Sequence, residues 1–147
     1  MNDQVYAFLM GRRLKKILRD RYGRLRKRYK ITQLDIELLL YFDQHPGAMA
    51  SDVIRELDLN KGNVSTALFG LYRDGLVDGR ENDNDRRVVE YYLKESGRKI
   101  AEEAKTVRNE VMDSLFQGVT KQELTVLEDI IQKAFQNLDE LSKLSNV

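Results

Sequence analysis

The sequence has no cysteine, no tryptophan, one histidine and one proline among its 147 residues. Without cysteine there can be no disulfide, thiolate metal site, thiol-based redox sensor or cysteine nucleophile. The sole histidine, His45, stands beside Pro46 and indicates a loop residue rather than a metal ligand. No apolar run approaches the ~20 residues needed to span a bilayer, and the first ten residues lack a signal-peptide pattern. We therefore expect a cytoplasmic protein without a metal, a cofactor or a membrane partner.

The formal net charge of +1 conceals a strong asymmetry along the chain. Residues 1–30 contain 11 Lys and Arg but only 2 Asp and Glu, whereas residues 31–147 contain 14 basic and 22 acidic residues. Local charge matters more than the total for binding a polyanion. The basic segment is either a solvated helix face or part of a polyanion-binding surface, and charge alone leaves both interpretations open.

Apolar residues recur every three or four positions along most of the chain, which predicts a mainly α-helical fold. The predicted helices cover residues 3–27, 32–44, 51–57, 61–73, 95 to a break at Gly118, and 120 onward. Thr32 and Asn60 are candidate N-caps, and Thr120 with Glu123 forms a candidate capping box. The last helix has a heptad seam of Leu124, Leu127, Ile131, Ala134, Leu138 and Leu141.

The periodicity changes between residues 76 and 93, where a small β-hairpin is predicted. Leu76, Val77 and residues 80–82 form the first strand, and the β-branched and aromatic run 88–93 forms the second. The residues 82–85 between them, Asn-Asp-Asn-Asp, favour a turn. A helix, a tight turn, a second helix and a hairpin in this order are the elements of a winged helix-turn-helix.

The second helix of such a pair fits the major groove of DNA. Val64, Ala67, Leu68 and Leu71 form its predicted buried stripe. The residues off that stripe are Lys61, Asn63, Ser65, Thr66, Phe69 and Arg73. Amide, hydroxyl and ammonium groups of this kind bind base edges or phosphates, although a polar face without a partner would look the same.

Arg86 and Arg87 follow the acidic turn at the predicted tip of the hairpin. Paired arginines on a protruding wing suit a narrow minor groove, where negative potential is concentrated. The alternative is an ordinary hairpin turn in which Asp85 pairs with one of the two.

Three stretches, in order, resemble the MarR family (multiple antibiotic resistance regulators). They are residues 59–65 continuing to Leu71, residues 74–77, and residues 85–87 followed by Leu93 and Gly97. The resemblance extends over nearly the whole chain. The chain departs from the family pattern at Lys94, where a capping Thr is usual, so that Glu95 or Ser96 must cap the next helix. It departs again at Met49, for which Ser51 is the nearest substitute.

The resemblance implies a winged helix-turn-helix fold with N- and C-terminal dimerisation helices. Residues 1–30 would form the basic N-terminal dimerisation helix, 31–94 the DNA-binding domain, and 95–147 the C-terminal dimerisation helices. It further implies a homodimer that binds double-stranded DNA at a pseudo-palindromic operator and acts as a repressor released by a small aromatic or phenolic effector. The four tyrosines that we consider for an effector cleft are Tyr22, Tyr29, Tyr41 and Tyr72.

The resemblance also assigns site residues. Lys61, Asn63, Ser65 and Thr66 fall where the family's recognition helix meets the major groove, and Arg73, Arg86 and Arg87 complete the predicted DNA-binding set. Asp85 matches the acidic residue that orients the wing arginine, here Arg87. Residues 31–94 contain 12 acidic and 7 basic residues, so we expect phosphate contacts from outside the recognition helix as well. The candidates are Arg26, Arg28, Lys30 and Ser51.

Three other functions are compatible with parts of the sequence. The acidic balance of residues 31–94 favours a winged helix that binds proteins and not DNA, whereas Arg86, Arg87 and the polar recognition face oppose it. An enzyme finds no support, because no Ser–His–acid arrangement, phosphate-binding glycine loop or ligand cluster is visible. A membrane-surface protein would need its cations on one helix face, and the N-terminal cations lie on several.

Overall fold

The computed structural model describes residues 1–145 as eight helices and one two-stranded antiparallel hairpin. The elements are α1 Asp3–Leu9, α2 Arg12–Arg21, α3 Gly23–Tyr29, α4 Gln33–Gln44, α5 Ala50–Leu57, α6 Lys61–Arg73, β1 Val77–Glu81, β2 Val89–Leu93, α7 Glu95–Leu115 and α8 Lys121–Ser145. The chain divides into two compact units, residues 1–111 and 112–147. Residues 146 and 147, which the third predicted segment includes, lie outside the described residues. The predicted winged helix-turn-helix order is confirmed.

The N-terminal segment contains three helices, so the prediction of one helix over residues 3–27 was wrong. Gly11 adopts φ +68°, which ends α1 and starts α2. Glycine accepts this left-handed conformation at little cost because it has no β-carbon. A second break follows at Tyr22, and α3 ends at Lys30, a non-glycine residue with φ +54°. The apolar spacing continues across both breaks, which is why periodicity alone concealed them.

Helices α4 and α6 begin after residues that capping chemistry favours, whereas α5 begins after Met49, which has no capping side chain. Thr32 and Asp35 form a reciprocal capping box at the start of α4, with N–H to oxygen distances of 2.9 and 3.1 Å. The side-chain oxygen of Asn60 accepts the N–H of Asn63 at 2.9 Å and caps α6. At α5 the carboxylate of Asp52 accepts the N–H of Met49 at 2.8 Å. Asp52, and not the predicted Ser51, therefore compensates for the missing threonine.

The main core lies where these three helices meet the hairpin and the start of α7. Its buried members are Leu38, Leu39, Tyr41, Phe42, Val53, Val64, Leu68, Leu71, Val77, Ile100 and Ala101. A second cluster joins α3, α4 and α7 through Tyr22, Leu25, Ile36, Leu40 and Ala104. Burial of these side chains provides the main stabilisation of the helix-turn-helix unit. No helix within residues 1–145 combines the length and apolar character needed to cross a membrane.

The hairpin pairs Val77 with Leu93 at its base and Glu81 with Val89 near its tip. The first strand begins one residue later and ends one residue earlier than predicted. The outer edge of β2 is also occupied, because Tyr91 exchanges backbone hydrogen bonds of 2.9 Å with Gly47 and Ala48. These two bonds fix the base of the hairpin to the turn after α4.

Helix α7 starts in close contact with Gly75 and Leu76, which connect α6 to β1. The N–H of Lys94 donates to the carbonyl of Leu76 at 3.0 Å, and the hydroxyl of Ser96 donates to the carbonyl of Gly75 at 2.8 Å. Ser96 therefore links two segments and does not act as the predicted helix cap. A β-carbon on Gly97 would lie 2.1 Å from the carbonyl oxygen of Leu76. Only glycine allows this approach.

Helix α8 begins with the predicted capping box of Thr120 and Glu123, at 2.8 and 3.2 Å, after the predicted break at Gly118, which has φ +84°. No residue of α8 within 121–145 is buried. Its exposed large apolar side chains are Val126, Ile130, Phe135, Leu138, Leu141 and Leu144. This helix therefore exposes several large apolar side chains.

We predict that Gly97→Ala lowers the free energy of unfolding by about 1–3 kcal/mol, the usual cost of forcing an extra group into a close-packed site. The new methyl group would have to displace backbone, because the nearest atom is the carbonyl oxygen of Leu76. Urea denaturation followed by circular dichroism measures the change.

Gly23→Ala is the matched control, because its β-carbon would meet only the end of the Arg26 side chain, at an ordinary 3.7 Å. That variant should keep or slightly raise stability. Equal effects of the two substitutions would contradict the importance of the Gly97 contact.

Candidate nucleic-acid interface

Helix α6 places one face in the core and the opposite face in solvent. Val64, Leu68 and Leu71 are buried and Ala67 is half-buried, as predicted. The side chains predicted to read DNA are all exposed on the remaining surface of the helix: Lys61, Asn63, Ser65, Thr66 and Arg73. The structure thus places these five residues together on one exposed helical surface that is free of core contacts.

Arg73 lies at the C-terminal end of this surface and has a local partner. Its Nε donates to a carboxylate oxygen of Asp74 at 3.1 Å. This hydrogen bond with Asp74 raises the pKa of the Arg73 guanidinium. The pair is well exposed, so water screens it and it remains available for exchange with a phosphate.

The hairpin tip holds Arg87 in a defined orientation. One carboxylate oxygen of Asp85 accepts the Nε of Arg87 at 3.1 Å and the other accepts Nη2 at 3.2 Å. The backbone N–H of Arg87 donates to the same carboxylate at 3.0 Å. These hydrogen bonds hold the pKa of Asp85 below its usual value. The Arg87 side chain nevertheless remains 90% exposed, so it is oriented and accessible at once.

The turn behind the arginines is closed by Asn82. Its side-chain oxygen accepts the N–H groups of Asn84 at 2.8 Å and Asp85 at 3.3 Å, a local pattern that favours tight turns. Its amide nitrogen donates to Glu90 at 2.7 Å, which ties the turn to β2. Arg86 is exposed beside Arg87. Two cations therefore project from a turn that is braced by its own side chains.

Arg80, a third arginine of the hairpin, is held nearer the base. Its guanidinium lies 4.5 Å from the centre of the Tyr92 ring and its Nε donates to Asp78 at 3.1 Å. Because both contacts are internal to the hairpin, Arg80 offers a natural comparison for the arginines at the tip.

The four candidate phosphate contacts fall into two groups. Arg26 donates to the carbonyl of Arg19 at 2.6 Å and to Gln33 at 2.7 Å. Arg28 forms an ion pair of 3.1 Å with Glu103, which also accepts the hydroxyl of Tyr29 at 2.8 Å. These two arginines thus already stabilise the packing of α3 against neighbouring helices. Lys30 and Ser51 are exposed.

Two of the four candidate effector tyrosines line a common cavity of about 250 Å³, namely Tyr22 and Tyr41. Tyr29 packs in the core and bonds Glu103, and Tyr72 is exposed on α6. The other lining residues are Lys15, Leu18, Gln33, Glu37, Leu40, Gln44, Leu57 and Arg108. Lys15 and Arg108 were missed at the sequence level because they lie 93 positions apart and only the fold brings them to one cavity.

Burial raises the pKa of Tyr22. Burial, together with a hydrogen bond to Glu56, raises the pKa of Tyr41 to about 12. Both phenols therefore keep their protons at neutral pH. The single O–H of Tyr41 is engaged by Glu56, so Tyr22 is the phenol that can donate a hydrogen bond into the cavity.

The chain is similar to several helix-turn-helix regulators in sequence and structure, although no family model matches it. It is 33% identical over 93 residues to YwhA of Bacillus subtilis, an uncharacterized HTH-type transcriptional regulator, covering 63% of this chain and 67% of the relative. The FabT structure of Streptococcus pneumoniae, solved in complex with DNA, superposes with a TM-score of 0.70 at 25% identity, covering 95% of this chain and 99% of FabT. A MarR family transcriptional regulator from Silicibacter pomeroyi gives a TM-score of 0.79 at 22% identity, covering 90% and 89% of the two chains.

These similarities include both the helix-turn-helix and the terminal helices, since they extend over most of each chain. They agree with the order of helices and strands described above. The chain belongs to the MarR family of winged helix-turn-helix transcription regulators.

Proposed function

We propose that the protein is a homodimeric, sequence-specific DNA-binding regulator that represses transcription by occupying a pseudo-palindromic operator in the cytoplasm. The observation that carries this proposal is the pairing of an exposed polar face on α6 with oriented, accessible arginines at the hairpin tip. Helix α6 would enter the major groove, and Arg86 and Arg87 would enter the adjacent minor groove.

The groups on α6 suit two tasks that DNA binding requires. Asn63, Ser65 and Thr66 have amide and hydroxyl groups that hydrogen-bond base edges in the major groove. Lys61 and Arg73, near the two ends of the helix, suit the phosphates on either side of the groove. Lys30 and Ser51 would add phosphate contacts, while Arg26 and Arg28 would first have to exchange an internal partner. Phosphate contacts supply affinity and base contacts supply the register.

Two apolar surfaces support the homodimer. Helix α1 contains no buried residue and exposes Val5, Tyr6, Phe8 and Leu9. Helix α8 exposes Leu138 and Leu141 of its predicted heptad seam, together with Val126, Ile130, Phe135 and Leu144. Surfaces of this extent occur where protein partners meet. A second copy would cover both and would present two α6 helices about one DNA turn apart, roughly 34 Å. In this proposal, residues 1–30 and 95–147 supply dimerisation and residues 31–94 supply DNA binding.

The cavity beside Tyr22 and Tyr41 supports regulation by a small aromatic or phenolic effector. Its 250 Å³ exceeds the ~150 Å³ that accommodates benzene in an engineered cavity. Lys15 and Arg108 suit a carboxylate or phenolate, and the protonated phenol of Tyr22 suits an acceptor atom of the ligand. An effector would release DNA only if it bound one separation of the recognition helices more tightly than the other.

The first test is a fluorescence-anisotropy titration with the DNA upstream of the protein's own gene at two salt concentrations. Wild-type protein should bind, and affinity should fall as salt rises because phosphate neutralisation releases counterions. Arg87→Ala should weaken binding by roughly tenfold or more, since a specific arginine contact contributes about 1–3 kcal/mol. Asp85→Ala should weaken it less, because Arg87 would remain but lose its orientation.

Arg80→Ala is the matched control, as it removes an arginine of the same hairpin that is already engaged by Tyr92 and Asp78. Its effect on affinity should be small. If wild-type protein failed to bind DNA at low salt, the regulator proposal would fail for the ligand-free protein. A protein-binding winged helix, favoured by the acidic balance of residues 31–94, would then take its place.

The dimer is tested by Leu138→Arg in α8. Two symmetry-related charges would then face an apolar interface, and close like charges cost several kcal/mol. We expect the dimer dissociation constant to rise roughly 100-fold, equivalent to about 3 kcal/mol, as measured by sedimentation equilibrium. Gln136→Arg adds the same charge two residues earlier, on another face of α8, and should leave the dimer intact. A Leu138→Arg variant that remained as dimeric as wild type would remove this seam from the interface.

The effector is tested with 2-hydroxybenzoate. At ten times its Kd it should stabilise the protein by about 1.4 kcal/mol and raise the melting temperature by about 3–6 °C, and it should weaken DNA binding. Benzamide, which has no anionic group, should do less, and Arg108→Met should reduce the difference between the two compounds, because only Lys15 would remain as a cation in the cavity. Equal responses of wild type and Arg108→Met would exclude this cavity as the site.

A further inference from the structure

Phe69 is the most exposed aromatic side chain among residues 1–145, with 69% of its surface accessible. It lies in the middle of α6, where the neighbouring side chains lie in the core or in the polar face except for the exposed ring of Tyr72. None of the aromatic pairs found within residues 1–145 involves Phe69. Packing within residues 1–145 therefore does not explain a phenyl ring at this position.

The helical geometry places Phe69 on the outermost ridge of α6. It follows Thr66 by three residues and Ser65 by four, and it precedes Arg73 by four, which are the spacings of neighbours on a helix surface. The buried residues Leu68 and Leu71 define the opposite side. In any approach of this helix to DNA with its exposed face leading, the ring lies among the groups that reach the base edges.

A second copy of the protein is a less suitable partner for Phe69 than DNA is. The exposed helical neighbours of Phe69 are Ser65, Thr66, Tyr72 and Arg73, which carry hydroxyl or cationic groups. The cores of protein interfaces, however, are depleted in charge. The apolar surfaces of α1 and α8, by contrast, consist of several adjacent large side chains. The ring of Phe69, which lies within a polar and basic face, suits a partner that is itself mostly polar and anionic.

The chemistry of the phenyl ring indicates which group of the DNA it would contact. A phenyl group neither donates nor accepts conventional hydrogen bonds, so it cannot read the donors and acceptors of base edges. The apolar group that natural base pairs display in the major groove is the C5-methyl of thymine. We propose that Phe69 is a specificity-determining residue that contacts a thymine methyl in each half-site. This inference rests on the proposed DNA-binding function and adds the base that the helix centre recognises.

The proposal has a consequence for the operator. Because a homodimer presents two copies of α6, the preferred thymines should occur at two positions related by the operator dyad. Cytosine at those positions would lose the methyl contact and would also present an amino donor in place of the thymine acceptor.

The test exploits deoxyuridine, which differs from thymidine only by the missing methyl. Each thymine of the bound operator is replaced in turn, and the affinity of wild-type protein is measured by fluorescence anisotropy. At one symmetric pair of positions we expect about a fourfold loss per half-site, because burying one such carbon contributes about 0.8 kcal/mol. Other positions should show little change.

The same scan is repeated with three variants. Phe69→Ala should bind more weakly than wild type and lose the sensitivity to deoxyuridine, whereas Phe69→Leu, which keeps an apolar side chain, should retain much of it. Tyr72→Ala is the matched control, since it removes another exposed aromatic ring of α6 that lies off the outermost ridge, and its deoxyuridine profile should match that of wild type. Because the substituted side chains are exposed, all variants should keep the melting temperature of wild type.

The outcomes separate this inference from the function on which it rests. If wild-type protein bound no DNA, the proposed function itself would fail. If it bound the operator but no deoxyuridine substitution weakened binding, or if Phe69→Ala kept the full sensitivity, Phe69 would not read a thymine methyl although the DNA-binding function would stand. A change of oligomeric state in Phe69→Ala would assign the ring to a protein interface and overturn the inference.

Discussion

The contact between Gly97 and the carbonyl oxygen of Leu76 connects the three parts on which the proposed DNA-binding surface depends. Gly75 and Leu76 follow the recognition helix α6, Val77 begins the hairpin, and Gly97 lies in the first turn of α7. Hydrogen bonds from Lys94 and Ser96 to the same two carbonyls reinforce the junction. Since a β-carbon at position 97 would lie 2.1 Å from an oxygen atom, this packing sets where the wing and the recognition helix begin relative to the shared core.

The hairpin of the proposed DNA-binding surface is held at its base and at its tip, while its arginine remains accessible to solvent. Tyr91 fixes the hairpin base to Gly47 and Ala48, and Asn82 braces the tip. Arg87 is oriented by Asp85 without being buried. An arginine held in this way loses less conformational entropy on binding than a freely rotating one, which is why an acidic residue beside it can aid the binding of a polyanion.

Hydrogen bonds and ion pairs within the fold explain part of the acidic balance of residues 31–94. Asp35 and Asp52 accept backbone N–H groups at the starts of α4 and α5, where a negative charge also interacts favourably with the helix dipole. Asp43 pairs with Lys105 of α7 at 2.6 Å, and this carboxylate, with that of Glu102, raises the pKa of Lys105. These carboxylates serve the fold, so a count of charges over the segment underestimates its suitability for DNA.

The element types, most helix boundaries and the order helix–turn–helix–hairpin could be predicted from the sequence, because caps such as Thr32 and Asn60 and the apolar periodicity are local properties of the chain. The sequence also identified the exposed face of α6 and the arginines of the wing, since exposure there follows from helical spacing and turn chemistry. Features that depend on backbone conformation or on residues distant in sequence could not be predicted in this way. The break at Gly11 is a backbone conformation that periodicity does not report, and the cavity between Lys15 and Arg108 exists because separate helices pack together. Helical spacing already placed Phe69 off the buried stripe, but its lack of an aromatic partner within residues 1–145 depends on which side chains the packed helices bring near α6.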